Sequence, residues 1–126
     1  MARIHPFRGL RYAPRLAPEL GRLTTPPYDI ISPKDQERFH RRHARNIIRI
    51  ELARSLPDDA PGRDRYTRAQ DTLAAWRREG VLVRESRQAL YLYRCDYTGP
   101  DGAPRRFTGF FAGLGLEPLD RGVVLP

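Results

Sequence analysis

The sequence predicts an α+β protein, a mostly antiparallel sheet of about four strands with two helices packed on one face. Three observations carry this expectation. Stretch 33–44 follows a helix-start signal, and stretch 64–79 pairs an apolar stripe at helical spacing with a glycine stop. Residues 89–116 alternate large apolar side chains around Gly99-Pro100-Asp101-Gly102, the pattern of a hairpin. Two further short stretches, 3–8 and the apolar run 47–53, complete the strand set.

The first strand runs into Gly9, and residues 11–27 follow as a proline-rich surface loop without a sustained period. That loop ends in Thr24-Thr25-Pro26-Pro27-Tyr28-Asp29-Ile30-Ile31-Ser32-Pro33. The paired prolines fix φ at two positions, and Pro27 restrains Pro26 toward extended geometry. Tyr28 and Asp29 therefore stand on a stiff support. Ser32 reads as the N-cap of the next helix, Pro33 as its first residue and Asp35 as the reciprocal acid of a capping box.

Within 33–44, Phe39 and His43 share a face and arginines occupy the rest. Asn46 ends the helix. Ile48, Ile50 and Leu52 then alternate as one face of a strand. After a loop at 56–62, Tyr66, Ala69, Leu73 and Trp76 form one apolar stripe, and Gly80 occupies the C′ position. In the hairpin Ala89, Tyr91, Tyr93, Cys95 and Tyr97 share a face, and the return strand sets glycines among phenylalanines. Aromatic rings are expected to lie over that bare backbone.

With 126 residues there is room for a single domain with a modest core. No apolar run approaches the roughly 20 residues of a membrane helix. Residues 1–6 lack the apolar region of a secretory signal, and the single cysteine, Cys95, suits a reducing cytoplasm. The net charge of +8 rests on arginine, Lys34 being the only lysine. The arginines are dispersed except between Arg38 and Arg54, so the charge is first a solvated face and second a polyanion site.

Nucleotide-binding glycine loops fail on spacing. Gly109, Gly113 and Gly115 lack the third glycine, because Pro118 stands there, and no Gly-Lys-Ser/Thr occurs. His40 and His43, with Glu37, could line one helix surface, but no cysteine pair or fourth ligand supports a zinc site; they read as surface histidines and no metal site is assigned. Of the carboxylates, only Asp29 sits on a pre-organised loop. The candidate binding set is therefore Tyr28 and Asp29, with Arg8 and Arg11 as planar donors for a phosphate or carboxylate. The rival set is Arg41, Arg42, Arg45 and Arg49 on nucleic-acid phosphates, with Tyr91, Tyr93, Phe107 and Phe111 as a stacking face.

Ile4-His5-Pro6-Phe7-Arg8-Gly9-Leu10, the Pro-Pro-Tyr-Asp-x-Ile-Ser turn, Asn46 with its apolar run, Glu79-Gly80-Val81-Leu82 and Leu90-Tyr91-Leu92-Tyr93-Arg94 follow one another in a recognisable order. In this the chain resembles the N-terminal portion of the domain-of-unknown-function family numbered 1015, over nearly its whole length. The pattern carries over at Pro6, Phe7, Gly9, Leu10, Pro26, Pro27, Tyr28, Asp29, Ile31, Ser32 and Asn46. Full-length members of that family are several times longer. Downstream they resemble ParB/sulfiredoxin-like proteins and carry an Asp-Gly-His-His-Arg segment similar to that of free-serine kinases.

That segment is absent here, so no catalytic residue is carried over from it. The resemblance implies a piece of a cytoplasmic phosphate- or nucleotide-handling enzyme, a small-molecule kinase of ParB-like type, using a nucleotide with magnesium in the full-length protein. The alternative is a basic nucleic-acid-binding module. The sequence stops within the apolar run Val123-Val124-Leu125-Pro126, which reads as an N-terminal fragment, inactive alone and prone to self-association through an open C-terminal edge.

Overall fold

Asp64 and Gly80 bracket the longest helix as their chemistry requires, and the core forms around it. In the computed structural model, which describes residues 2–118, one carboxylate oxygen of Asp64 accepts the backbone N–H groups of Tyr66 and Thr67, both at 2.9 Å. At the other end Gly80 takes φ 64°, and Val81 N–H reaches back to the Trp76 carbonyl at 2.8 Å, closing a Schellman turn. The order of elements is β1 (Ile4–His5), β2 (Leu10–Tyr12), a 3₁₀ helix (Pro14–Glu19), α1 (Leu20–Leu23), a 3₁₀ turn (Tyr28–Ile30), α2 (Pro33–Arg42), α3 (Ile48–Glu51), α4 (Arg65–Arg78), β3 (Leu82–Arg84), β4 (Tyr91–Thr98), β5 (Pro104–Phe111) and β6 (Gly113–Leu114). The protein is α+β, as its sequence predicts. The single sheet resolves into three two-stranded pairs, β1–β6, β2–β3 and β4–β5.

Contacts divide the chain into two compact units, residues 11–83 and the remainder on either side of them. In the first unit Leu16, Leu23, Trp76, Val81 and Leu82 make the buried cluster, with Tyr12, Ile47, Ile50 and Leu73 packed against it. The stretch 11–27 is thus more than a surface loop. Pro14 starts a 3₁₀ helix, and Leu16 and Leu23 turn inward from it and from α1. Tyr12 donates its hydroxyl to the Arg45 carbonyl at 2.7 Å, and burial pushes its pKa up to about 12.

The run 47–53, expected as a strand, is the short helix α3. Asn46 explains the difference. It is fully buried; its Oδ1 accepts Ile48 N–H at 3.0 Å, and its Nδ2 donates to the Arg22 carbonyl at 2.7 Å. The helix α2 has already ended at Arg42, and the Asn46 side chain starts the next helical turn. Helical spacing then sets Ile47 and Ile50 on the core side.

In the second unit β4 and β5 form the expected antiparallel hairpin, with Tyr93 opposite Gly109 and Tyr91 opposite Phe111. Gly102, at φ 77°, turns the chain. The return strand ends at Phe111, and Gly113–Leu114 pairs instead with Ile4–His5. Gly9 is held by close approach: its N–H donates to the Tyr91 hydroxyl at 2.7 Å, and a Cβ there would meet the ring carbon at 2.9 Å. The apolar run 123–126 lies outside the described residues. No helix among the described residues is long and apolar enough to cross a membrane.

Candidate functional site

Pro27, extended at φ −52° and ψ 144°, delivers Tyr28 into a single 3₁₀ turn closed by Ile31 N–H on the Tyr28 carbonyl at 3.2 Å. Immediately after it Ser32 caps α2 as predicted, accepting Asp35 N–H at 3.2 Å. The Ser32 hydroxyl in turn donates to Asp35 Oδ2 at 2.7 Å. That hydroxyl, with Arg38 adding its charge, holds the Asp35 carboxyl below its ordinary range. Gln36 Nε2 ties α2 to the end of α3 through the Leu52 carbonyl at 2.9 Å, and Thr25 Oγ1 meets Glu51 Oε2 at 3.2 Å. The turn is therefore fastened on both sides.

Tyr28 borders a groove of about 210 Å³ whose other walls include Ile50, Glu51, Leu52, Arg65 and Tyr66. Tyr28 and Tyr66 are 62% and 67% exposed, leaving two phenol rings available to a ligand. Tyr66 was expected in the core stripe of α4. It leaves the core because Arg65 lies over its ring, 4.7 Å from the centroid, and donates to its hydroxyl at 2.7 Å. Arg65 has no carboxylate partner among the described residues. Sequence reasoning missed Arg65 and Glu51 because the groove forms only once α3 is helical.

Asp29 is exposed beside Tyr28 and makes no hydrogen bond or ion pair among the described residues. Arg11 lies on β2 in the same unit. Arg8 belongs to the other unit, where its Nε donates to the Glu85 carbonyl at 2.7 Å.

The four arginines of the basic set have different surroundings. Arg41 and Arg42 border an open cleft together with Arg38, which is paired with Asp35 at 2.8 Å. Arg49 turns the other way, donating to the His40 carbonyl at 2.9 Å, and Arg45 is half-buried. The aromatic residues Tyr91, Tyr93, Phe107 and Phe111 fall in the other unit from these arginines.

His40 is also misplaced by the sequence reading, being only 7% exposed rather than a surface residue. His43 bonds locally, accepting Arg45 N–H on Nδ1 at 2.9 Å, with Glu19 3.3 Å from Nε2. Among the described residues no three His, Cys, Asp or Glu side chains gather as a metal ion would require.

The architecture is that of an α+β protein of short helices and two-stranded antiparallel pairs, with an aromatic groove on the 11–83 unit. The chain belongs to the family described as Protein of unknown function (DUF1015), whose model matches residues 4–126. Neither a curated protein nor a solved structure matches it.

Proposed function

We propose that this chain supplies a ligand-binding groove to a cytoplasmic phosphate- or nucleotide-handling protein, the small-molecule kinase reading being its most specific form. The observation that carries it is the meeting of exposed Tyr28 and Tyr66 with Arg65 in one groove. Aromatic rings offer a planar group a stacking surface, and a guanidinium without a carboxylate partner offers an oxyanion a bidentate fork. Asp29, on the same stiff turn, is an acceptor for a hydroxyl or amine of whatever is bound.

The test is thermal unfolding of the chain with ATP, ADP or inorganic phosphate. A ligand at a hundredfold excess over its Kd stabilises by about 2.7 kcal/mol, which a melt detects readily. Stabilisation by a nucleotide that is lost in Tyr28→Ala and Arg65→Gln, and weakened in Asp29→Ala, is the expected result. Equal stabilisation of all four proteins overturns the reading.

A second reading rests on the open cleft bordered by Arg38, Arg41 and Arg42, which suits a polyanion such as nucleic acid. Its signature is oligonucleotide binding that falls steeply with salt, log K against log[salt] having a slope of about −0.7 per phosphate contacted on a single strand. Substituting Arg41 and Arg42 together by Gln would flatten that slope while leaving any nucleotide-dependent stabilisation in place.

A further inference from the structure

We propose that the open pocket bordered by α2, α3, the segment after α3 and the first half of α4 is a binding site for a small oxyanion, phosphate or carboxylate, held by Arg49 and His40. It is a different pocket from the Tyr28 groove, with Ala53 common to both walls. The cavity measures about 220 Å³ and is bordered by His40, Arg49, Arg54, Leu56, Arg68 and Thr72. That is several times the roughly 30 Å³ of a water molecule and below the roughly 300 Å³ at which drug-sized pockets begin. It fits a compact anion, bare or on a short organic stem.

The charges around it are unevenly matched. Arg54 is paired with Glu37 at 2.7 Å, and Arg68 grips Asp59 with two bonds of 2.7 and 3.1 Å. Arg68 also donates to the Arg54 carbonyl at 2.6 Å, and Thr72 Oγ1 donates to the Arg68 carbonyl at 2.7 Å, so these walls are fixed. Arg49 has no carboxylate partner among the described residues; it donates to the His40 carbonyl, and its Nε is buried without a hydrogen bond.

Neither ring nitrogen of His40 has a hydrogen-bond partner, though the residue is 93% out of water. The Leu52 carbonyl lies close enough to the ring to favour the protonated imidazole, and also accepts from Gln36 Nε2 at 2.9 Å. A buried donor or acceptor left unbonded is unfavourable, so a ligand atom reaching these groups would be bound by them. Three guanidiniums against two carboxylates leave one positive charge for it, and a guanidinium with a neutral imidazole N–H forms a donor set for an oxyanion.

Sulfate stays doubly negative through the neutral range, so it serves as the first probe, with phosphate and formate distinguishing tetrahedral from planar ligands. The imidazole resonances of the wild-type chain are followed by NMR as each salt is added, against chloride at matched ionic strength. The expected result is a saturable shift of His40, absent at His5 and His43, with affinity about tenfold or more lower in Arg49→Gln, in keeping with a charge-assisted bond. Absence of a saturable His40 shift with all three anions overturns the proposal. So does an equal affinity in Arg49→Gln, and the wild-type titration decides the matter if that variant does not fold.

Discussion

In residues 11–83, Leu23, Ile48 and Val81 are wholly buried and Trp76 is 6% exposed, whereas in the hairpin Leu92 is 76% exposed and Phe107 and Phe110 are 55% and 58% exposed. Both regions are rich in large apolar side chains, yet only one converts them into a core. Residues 11–83 bring six segments onto one cluster, β2, the 3₁₀ helix, α1, α3, α4 and β3, so each side chain is covered from several sides. The hairpin is two strands held by a backbone ladder and cross-strand rings such as Tyr93 and Phe111, 5.6 Å apart and edge to face. A two-stranded ribbon cannot cover both of its own faces, and such ribbons are marginal without support. Apolar composition therefore says less about stability than the number of elements that converge.

Substitutions break or sharpen this contrast in a definite order. Trp76→Ala, in the core, should cost about 3–5 kcal/mol in urea unfolding, and Leu92→Ser in the hairpin should change stability by no more than about 0.5 kcal/mol. Comparable losses would dissolve the distinction. Asn46→Ala removes the hydrogen bonds that join Arg22, Thr24 and Ile48, and should cost about 2–3 kcal/mol while loosening α3. Hydrogen exchange of the Ile48–Leu52 amides in that variant reports the loosening directly.

Gly9→Ala should cost about 1–2 kcal/mol, because the new methyl displaces the Tyr91 ring from its place against Phe7, 4.9 Å away between centroids. This is the largest single-atom effect expected outside residues 11–83, and the near-ultraviolet spectrum of Tyr91 should follow it.

Acid provides the gentlest probe. Asp59, Asp64 and Asp35 are held below the ordinary value of 3.8 chiefly by the Arg68 guanidinium, the Thr67 backbone N–H and the Ser32 hydroxyl respectively. A depressed carboxyl contributes stability that is present above its unfolded value and lost as pH falls through its folded value. Urea midpoints of the 11–83 unit should begin to fall below pH 6.5, because burial holds the His40 imidazole below that value and the unfolded chain takes up its proton more readily. They should fall further below 3.8 as the carboxylates protonate, and Asp101 acts similarly in the hairpin. Asp59→Asn should flatten part of that fall.

How far the sequence foretold this depends on how locally each signal is written. Ser32, Pro33 and Gly80 announce the start of α2 and the end of α4 through capping chemistry that acts within a turn, and all three do as expected, while Asp64, read as the first helical residue, proves to be the N-cap. The Gly99–Gly102 turn is equally local. The six residues after Asn46 are ambiguous in sequence because a short apolar run fits either period. A buried side-chain amide decided it, and burial is a tertiary fact. Leu16 and Leu23 were hidden among prolines, and only packing shows them as core. For the site, Tyr28 was legible from its proline support. Its companions Arg65, Tyr66 and Glu51 were not, since three separate segments must fold before they share a groove. His40 looked like one polar residue among arginines, and only the approach of α3 and α4 encloses it.

Both candidate sites lie in the unit that builds a core, and the most direct test of that assignment is an amide NMR titration of the chain with ADP. The account predicts saturable shifts at Tyr28–Ile31, Leu52, Arg65 and Tyr66, with the β4 and β5 amides unmoved. Shifts confined to the hairpin, or none at saturating nucleotide, would contradict it.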